Sequence, residues 1–264
     1  MRAFGGGAAL TGLTMVGMRI AVLADIHGNL RALEAVQADL RKYSPDAVLN
    51  LGDHVSGPLQ AAATADVLMQ SGYVHIRGNH DRQLLDRPPE RMGQSDRAAF
   101  AQLTAAHKKW LSELPATAMF DGRILLCHGT PEDDLEYLVE EVHEDRVQLA
   151  SPELICSRLG GVSAPLVLCG HTHIPRVVST RDGICIVNPG SVGLPAYDDT
   201  HGGLHYVETG SPHARYAIID GAGQSVKIDL IAVEYDWTSA AREAAEGKRP
   251  DWAQALATGY ALRS

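Results

Sequence analysis

The sequence predicts an α/β fold in which two packed sheets are covered by helices on the outside. Apolar strand-like runs alternate with helical patterns through the first two-thirds of the chain, which is typical of βαβ units. Short strand pairs around glycine-containing turns then follow, which is typical of antiparallel hairpins. Two sheets packed together, with the helices outside, satisfy both halves of the pattern.

The first part of the chain alternates strands with helices. RIAVLAD (19–25) has the continuous apolar run of a buried strand. Segment 29–43 is an amphipathic helix that places four apolar residues on one face, Leu30, Leu33, Val36 and Leu40. The further predicted elements are strand 46–53, helix 61–72, strand 73–79, helix 95–113, strand 123–129, an acidic helical region 132–160 and strand 165–173.

After residue 173 the pattern of apolar residues changes from alternating strands and helices to short strands joined by turns. VVSTRDGICIVNPGS predicts two short strands around a turn at Arg181-Asp182-Gly183. Segment 214–235 predicts a hairpin around Asp220-Gly221, and 237–260 is helical. We found no linker or repeat within 18–264 and treat this range as one domain. Residues 1–17 are expected to be a disordered or mis-assigned extension, because Met18 directly precedes the first predicted strand and is a natural position for the chain to start.

Composition excludes several classes of protein. The formal net charge is −9, which argues against nucleic acid or an anionic membrane as a partner, since both require clustered Lys and Arg. No apolar run approaches the ~20 residues of a membrane span. The cysteines are widely spaced and predict free thiols in a reducing, cytoplasmic setting rather than disulfides. They are Cys127, Cys156, Cys169 and Cys185.

Polar clusters stand at the ends of five predicted strands, where open α/β sheets place their ligand sites. The clusters are Asp25-Ile26-His27, Gly52-Asp53-His54, Gly78-Asn79-His80-Asp81, His128-Gly129 and Gly170-His171-Thr172-His173. A single histidine is more often structural, but five clusters of oxygen and imidazole ligands favour a metal centre. These ligand types suit Mn, Fe, Zn or Ni.

The spacing within the clusters fits shared coordination. In extended chain, residues i and i+2 point the same way, so Asp25 and His27 can reach one ion together. The same holds for His171 and His173. Glycines beside the ligands allow sharp turns and close backbone approach.

The series DxH, GD, GNHD, H and GHTH, in this order, resembles the calcineurin-like metallophosphoesterases. The closest likeness is to small prokaryotic phosphodiesterases and diadenosine-tetraphosphatase-related proteins. Motifs carry the resemblance from Met18 to about Ser191, and it continues weakly to the end of the chain. It implies a four-layer α/β/β/α sandwich of two mixed sheets flanked by helices.

The resemblance also implies a site with two divalent ions, Mn in the first place and Fe, Ni or Zn as alternatives. The first ion would be held by Asp25, His27, Asp53 and His173. The second ion would be held by Asp53, Asn79, His128 and His171, with Asp53 bridging the two. A hydroxide bridging the metals would attack phosphorus. His80 would act as general acid, with Asp81 orienting it.

Three further residues are candidates for substrate contact. Arg82, directly after GNHD, would clamp a phosphate oxygen, although a surface ion pair is the simpler interpretation. His54 would line the pocket, with a packing role as the alternative. Tyr197 would reach substrate from its loop unless that loop is an ordinary surface turn. The acidic segment 132–148 is interpreted as a solvated helical face, or else as a wall of the cleft.

The chain departs from the protein phosphatases of this superfamily. They carry GDxVDRG, whereas Gly52–Gly57 reads GDHVSG and lacks both the second Asp and the Arg. This difference favours a small-molecule or nucleotide phosphoester as substrate, with a phosphodiesterase or phosphatase activity. A dinucleoside-polyphosphate hydrolase is the alternative within the class, and a non-catalytic protein-binding scaffold is the alternative outside it. The helices with Trp237 and Trp252 are candidates for a homo-oligomer interface.

Overall fold

A computed structural model describes residues 10–11, 17–221 and 225–263. The strands in these ranges are β1 (Leu10–Thr11), β2 (Arg19–Leu23), β3 (Ala47–Asn50), β4 (Val74–His75), β5 (Ala118–Phe120), β6 (Ile124–Leu126), β7 (Glu140–His143), β8 (Arg146–Leu149), β9 (Leu166–Leu168), β10 (Arg176–Ser179), β11 (Cys185–Asn188), β12 (Ala196–Asp199), β13 (His205–Glu208), β14 (Ala214–Asp220) and β15 (Ser225–Val233). The helices are α1 (Leu30–Leu40), α2 (Ala61–Met69), α3 (Asn79–Asp86), α4 (Gln94–Phe100), α5 (Ala105–Glu113), α6 (Pro152–Leu159), α7 (Trp237–Glu246) and α8 (Pro250–Thr258), with a 3₁₀ turn at Pro89–Arg91.

Local side chains set the ends of several helices. The Asn29 side chain accepts a hydrogen bond from the Ala32 N–H at 3.2 Å and so caps α1. Ser151 caps α6 in the same way through the Leu154 N–H. Helix α6 ends at Gly160, whose φ of 61° is a conformation that glycine adopts without steric cost.

The two larger sheets are both mixed. The first has the order β1-β15-β14-β2-β3-β4, in which β2, β3 and β4 run parallel and β14 joins β2 antiparallel. The second has the order β10-β11-β9-β6-β5, in which β11, β9 and β6 run parallel. The predicted turn at 181–183 connects the antiparallel pair β10–β11. The predicted hairpin of 214–235 is the pair β14–β15.

These two sheets pack face to face, as the predicted sandwich requires. Ile20 and Val22 of β2 share an apolar core with Leu126 of β6 and Leu168 of β9. Leu23, on the opposite face of β2, packs against α1 instead. Helix α6 covers the outer face of the second sheet. The layers are therefore helix, sheet, sheet and helix, which confirms the predicted fold class.

A third, four-stranded sheet with the order β12-β13-β8-β7 was not predicted. It overturns the prediction of an acidic helical region over 132–160, of which only α6 is helical. Strands β7 and β8 form a hairpin whose turn includes Glu144 at a φ of 55°. Glu140 is fully buried and accepts a hydrogen bond from Arg176 at 2.8 Å. Segment 132–148 is therefore not a solvated helical face.

Two other predicted elements have different boundaries. The predicted strand 73–79 ends early, because helix α3 begins at Asn79 and the Asp81 carboxylate accepts the N–H of Gly78 at 3.0 Å. The predicted helix 95–113 is two helices, since Thr104 interrupts it and caps α5 by accepting the His107 N–H.

The C-terminal helices α7 and α8 pack on each other and on the segment that includes Leu194. Trp252 of α8 is only 4% exposed, because it fills a core with Leu59, Leu194 and Ala240. The Trp252 side chain itself is therefore not free for a partner, and an interface formed by the helices of Trp237 and Trp252 stays a prediction. The oligomeric state itself stays a prediction.

The N-terminal prediction concerns residues 1–17 and lies mostly outside the described residues. Leu10–Thr11 pair antiparallel with Ser225 and Val226 of β15. All four cysteines are free thiols, as predicted. Each helix of the described ranges is too short or too polar to cross a lipid bilayer.

Candidate metal centre

Five loops that follow strands meet at one end of the sandwich. Three of them follow β2, β3 and β4 of the first sheet, and two follow β6 and β9 of the second. The side chains that were predicted as metal ligands are all buried there: Asp25, His27, Asp53, Asn79, His128, His171 and His173. The carboxyl ends of parallel strands lie at the same edge, which explains this convergence from distant parts of the sequence.

Asp25, His27 and His173 form a first group of ligand atoms that lie within 4.8 Å of one another. The Nε2 atoms of His27 and His173 are 3.1 Å apart. His173 Nε2 is also 3.4 Å from Asp25 Oδ1. The group has the size and the donor types of a site for one divalent cation.

Asp53, His128 and His171 form a second group within the same distance limit. His128 Nε2 lies 3.3 Å from Asp53 Oδ2 and 2.9 Å from Asn79 Oδ1. His27 Nε2 of the first group is 3.9 Å from the same Asp53 oxygen. Asp53 thus stands between the two groups, in the position of a shared ligand.

Backbone carbonyls fix the orientation of four site histidines. One ring nitrogen of each histidine lies at hydrogen-bond distance from a carbonyl oxygen and donates its proton to it, so that in the neutral ring the other nitrogen has a free lone pair. The contacts are His27 Nδ1 to Ser56 O at 2.8 Å, His128 Nδ1 to Leu51 O at 2.8 Å, His173 Nδ1 to Leu194 O at 2.6 Å and His171 Nε2 to Leu135 O at 3.1 Å.

The arrangement fits a cation better than it fits a hydrogen-bond network. The Nδ1 atoms of His27 and His173 both lie at hydrogen-bond distance from carbonyls, and their Nε2 atoms face each other at 3.1 Å. When the proton of each ring is on Nδ1, each Nε2 presents a lone pair. Two lone pairs at this distance repel each other unless a positive charge lies near both. His128 Nε2 faces the oxygens of Asn79 and Asp53, and imidazole, amide and carboxylate are all donor types that a divalent cation accepts. The residues present therefore fit divalent metal ions.

The pKa values of the site are set by burial and by the close pairing of carboxylates with imidazoles. Burial raises the pKa of Asp53, but His128, His80 and His27 outweigh this and hold it well below its usual value. Burial lowers the pKa of His128, but the carboxylates of Asp53 and Asp25 raise it to about 10. Burial lowers the pKa values of His27 and His171 to about 4, so both rings are neutral ligands at pH 7.

Most of the ligands have left-handed backbone conformations, which non-glycine residues rarely adopt. These ligands are Asp25 (φ 56°), His27 (φ 51°), Asp53 (φ 55°), His171 (φ 69°) and His173 (φ 58°). Unusual backbone conformations of this kind cluster at functional sites, where the surrounding structure holds them in place.

Gly78 allows two of the loops to approach closely. A Cβ atom at this position would lie 2.2 Å from Asp53 Oδ1 and 2.5 Å from the Asp53 backbone nitrogen. Any side chain other than hydrogen would therefore displace Asp53.

His80 borders the cavity beside the ligands without belonging to either group. Its backbone N–H donates to Asp53 Oδ1 at 2.9 Å, and its Nδ1 lies 2.7 Å from the Asp96 carboxylate. Asp96 also accepts a hydrogen bond from the Ser56 hydroxyl at 2.7 Å. Burial lowers the pKa of His80, but Asp53 and Asp96 together raise it to about 9. The ring thus keeps its proton at neutral pH.

Asp96 was missed in the sequence, because it lies within α4 and outside every strand-end cluster. The Ser56 that replaces the second Asp of GDxVDRG touches it directly. A carboxylate from another element therefore stands beside His80. In the sequence, the signal for this arrangement is that position 56 has no acidic residue, so that a carboxylate beside His80 has to come from another part of the chain.

Asp81 does not orient His80, contrary to the prediction. Its buried carboxylate accepts the backbone N–H groups of Asp53 at 2.9 Å and His54 at 3.1 Å, together with that of Gly78. Successive residues of helix α3 point about 100° apart, so the Asp81 and His80 side chains diverge. Asp81 instead fixes the loop that carries Asp53.

Two predicted substrate contacts are placed elsewhere. Arg82 forms a bidentate ion pair with Asp134, at 2.7 and 2.6 Å, and does not line the cavity. His54 is fully buried, with Nδ1 2.7 Å from the Asp81 carboxylate and its ring against Trp110. The structure therefore supports the alternative interpretation of each residue, an ion pair for Arg82 and a packing role for His54, and not the contact with substrate.

Tyr197 does line the cavity. Its ring packs on His173 with a centroid distance of 4.7 Å, and its hydroxyl donates to the His171 carbonyl at 3.0 Å. These contacts steady two ligands. A contact of Tyr197 with substrate stays a prediction.

A cavity of about 560 Å³ opens over the ligands and His80. Its walls include residues of α3, of β12 around Tyr197 and of the C-terminal helix α8. This volume lies within the ordinary range for small-molecule sites.

Comparison with known proteins agrees with this site. The family model for the calcineurin-like phosphoesterase superfamily domain matches residues 18–210. An uncharacterized protein of Methanocaldococcus jannaschii is 25% identical over 264 residues, which are 90% of this chain and 96% of that protein. The crystal structure of a metallophosphoesterase from Sphaerobacter thermophilus is 28% identical, with a TM-score of 0.70, over 92% of this chain and 99% of its own. A hypothetical protein from Pyrococcus horikoshii shares the fold at 19% identity, with a TM-score of 0.70, over 92% of this chain and 99% of its own.

Proposed function

Because the chain belongs to the calcineurin-like phosphoesterase superfamily, we propose that it hydrolyses phosphoesters of small molecules or nucleotides with the help of two divalent cations. The observation that carries the proposal is the pair of facing Nε2 atoms of His27 and His173, 3.1 Å apart, in two buried rings whose Nδ1 atoms both lie at hydrogen-bond distance from backbone carbonyls. A cation near both Nε2 atoms would stabilise this buried arrangement.

The two groups of ligands would each hold one cation. The first would be bound by Asp25, His27, Asp53 and His173, and the second by Asp53, Asn79, His128 and His171. When bound, divalent cations supply an acidified water for attack on phosphorus and offset charge on the phosphoryl oxygens. The oxygen and imidazole donors are compatible with Mn, which we propose as the native metal, and with Fe, Ni or Zn.

His80 would donate the proton to the leaving-group oxygen. Its Nδ1 is held by Asp96, so the proton on Nε2 remains for the substrate. The raised pKa of His80, about 9, keeps this proton available at neutral pH. Asp96 would act as a positioning residue, since it touches His80 and not the reacting atoms.

Two alternatives use the same fold. A dinucleoside-polyphosphate hydrolase would cleave an anhydride with the same residues. A non-catalytic scaffold would have no need for seven buried ligands, most of them with unfavourable backbone angles. The backbone angles therefore support an enzyme over a scaffold.

The test is a substrate panel on metal-free protein with Mn, Ni, Zn or Mg added. The panel combines nitrophenyl mono- and diesters with diadenosine tetraphosphate, which separates ester from anhydride cleavage. We expect metal-dependent hydrolysis, and we expect Asp53→Asn to lose most of it because both cations lose a ligand. Failure to bind any metal, together with no hydrolysis of any substrate, would support the scaffold.

A further inference from the structure

Two tyrosines pack on the two histidines of the GHTH motif. The ring of Tyr197 lies on the His173 ring with a centroid distance of 4.7 Å, and the ring of Tyr137 lies on the His171 ring at 5.0 Å. The hydroxyl oxygens of the two tyrosines are 3.0 Å apart, at hydrogen-bond distance. Tyr137 and Tyr197 therefore form a linked tyrosine pair, with one ring on a ligand of each metal group.

His205 anchors the tyrosine pair from the third sheet. It is the first residue of β13 and is fully buried. Its Nδ1 lies 2.7 Å from the carbonyl oxygen of Gly203, which can only accept, so Nδ1 donates. In the neutral ring, Nε2 then accepts the hydroxyl proton of Tyr137 over 2.9 Å. Both nitrogens of this buried ring are thereby paired, and one of them fixes the position of the Tyr137 hydroxyl.

The other end of the tyrosine pair holds the backbone of the ligand segment. The Tyr197 hydroxyl donates a hydrogen bond to the carbonyl of His171 at 3.0 Å. His171 and His173 have left-handed backbone angles, with φ of 69° and 58°. Such angles persist only where the surrounding structure holds them. A continuous series of hydrogen bonds thus connects His205 of the third sheet with this strained segment.

The hydrogen bonds define the orientation of the two rings more strictly than packing does. An apolar ring would tolerate several orientations, because its outer torsion angle has a broad energy minimum. A buried polar group that turns away from its partner remains unpaired, which is unfavourable. Tyr137 is only 7% exposed and His205 is fully buried, so solvent does not supply another partner. Burial also raises the pKa values of Tyr137 and Tyr197, so both hydroxyls keep their protons.

We propose that Tyr137 and His205 are positioning residues for the two histidines of the GHTH motif. They would act through Tyr197, and neither is among the described residues that line the cavity. The tyrosine pair would fix the His171 and His173 imidazoles relative to each other before cations bind. Because each imidazole belongs to a different ligand group, the pair would set the spacing of the two groups. This inference rests on the proposed function, since it takes both histidines as metal ligands.

The inference is tested by calorimetric titration of Mn into the full-length protein after metal has been removed by chelation and dialysis. Tyr137→Phe keeps the ring on His171 and removes only the hydroxyl. We expect this variant to bind Mn about tenfold more weakly, as is typical when an outer contact of a metal ligand is lost.

His205 provides a second, independent pair of variants. His205→Leu removes both ring nitrogens and should weaken Mn binding as Tyr137→Phe does. His205→Gln keeps an oxygen that can accept the Tyr137 hydroxyl proton, so we expect it to bind Mn more tightly than His205→Leu. If Tyr137→Phe does not fold, the comparison of these two variants decides, and equal affinities would overturn the positioning role.

Tyr216→Phe is the matched control. It also removes a buried tyrosine hydroxyl, one that donates to the Asp39 carboxylate at 2.7 Å in the core between β14 and α1. We expect it to lower the free energy of unfolding in urea and to leave the Mn affinity unchanged.

The outcomes separate this inference from the proposed function. If Tyr137→Phe binds Mn as tightly as the wild-type protein, or if Tyr216→Phe loses as much affinity, the positioning role is overturned and the metal centre stands. If the wild-type protein binds no Mn, the proposed function fails and this inference fails with it. Calorimetry does not require turnover, so failure of the substrate panel alone would count only against the proposed hydrolysis.

Discussion

At the scale of single residues, the chemistry depends on which nitrogen of each histidine carries the proton. Carbonyl oxygens of Ser56 and Leu194 hold the protons of His27 and His173 on Nδ1, so both Nε2 atoms point at one place. His80 is held differently, by the carboxylate of Asp96. The carboxylate beside His80 favours the charged ring, which can donate a proton.

His80→Ala should lower kcat far more for alkyl phosphoesters than for nitrophenyl esters. A poor leaving group needs a proton as the bond breaks, whereas nitrophenolate does not. We expect a loss of about 10²-fold or more on the alkyl ester, measured by phosphate release. Equal losses on both substrates would argue against the acid role.

Asp96→Asn should shift the alkaline limb of the kcat profile to lower pH. Asp53 and Asp96 raise the pKa of His80 against the effect of burial. Removal of one negative charge lowers the pKa of His80. The ring therefore loses its proton at a lower pH, and the proposed general acid is lost with it. Glu90→Gln, at an exposed position of the 3₁₀ turn, is the control and should leave the profile unchanged. An unmoved limb in Asp96→Asn would count against the positioning role.

The backbone angle at His173 can be tested by comparing two truncations. In metal-free protein, His173→Gly should be more stable than His173→Ala by about 1 kcal/mol, because a Cβ is unfavourable at a φ of 58°. Urea unfolding measures the difference. At Asn79, the first residue of α3, the order should reverse, because alanine favours helix. Equal stability of the His173→Ala and His173→Gly variants would contradict backbone strain at this position.

At the scale of elements, the site is built where strands stop. β3 ends before Asp53, and the short β4 gives way to α3, whose first residues are Asn79 and His80. The buried carboxylate of Asp81 ties the start of this helix to the loop after β3. One helix start thus positions both Asn79, a candidate metal ligand, and His80, the proposed proton donor.

Gly78→Ala should abolish metal binding without any change to a ligand. Its Cβ would collide with Asp53 at 2.2 Å, and the hydrogen bond from the Asp53 N–H to Asp81 prevents the loop from moving aside. Metal content after dialysis measures the effect. Gly93→Ala is the control, because a methyl group at this position would have no neighbour within 4 Å and the φ of Gly93 is ordinary. Full metal content in Gly78→Ala would contradict the role of this close approach.

At the scale of the whole molecule, the metal site connects the two sheets of the sandwich. Asp25 and Asp53 follow strands of the first sheet, while His128 and His171 follow strands of the second. A cation bound between them cross-links the two layers at one end. The third sheet contributes at the rim, where Tyr197 of β12 packs on His173.

Removal of metal should therefore lower the stability of the entire fold. A ligand at 100 times its Kd stabilises the folded state by about 2.7 kcal/mol. For a chain of this size that corresponds to about 5–10 °C in the thermal midpoint. Calorimetry of chelator-treated protein with and without Mn measures the shift. Asp53→Asn should show a smaller rise, and an equal rise would indicate that Mn binds elsewhere.

The sequence by itself determined the candidate ligands and the layers. Strand runs, glycine turns and the i, i+2 spacing of Asp25 and His27 are local properties, because alternation along a strand decides which side chains share a face. Strand ends also gather at one edge by a general rule of parallel sheets. The candidate ligands and the packed pair of sheets with outer helices followed from these local features without knowledge of any long-range contact.

Only the tertiary structure decided which distant residues touch. The Asp96 carboxylate, on a different helix, contacts the His80 ring. The Asp81 carboxylate accepts the backbone N–H of Asp53, and Arg82 forms an ion pair with Asp134. None of these pairs is encoded in local spacing, since packing of separate elements brings them together. The acidic segment that forms the β7–β8 hairpin shows the same limit, because pairing with β13 outweighed its helical pattern.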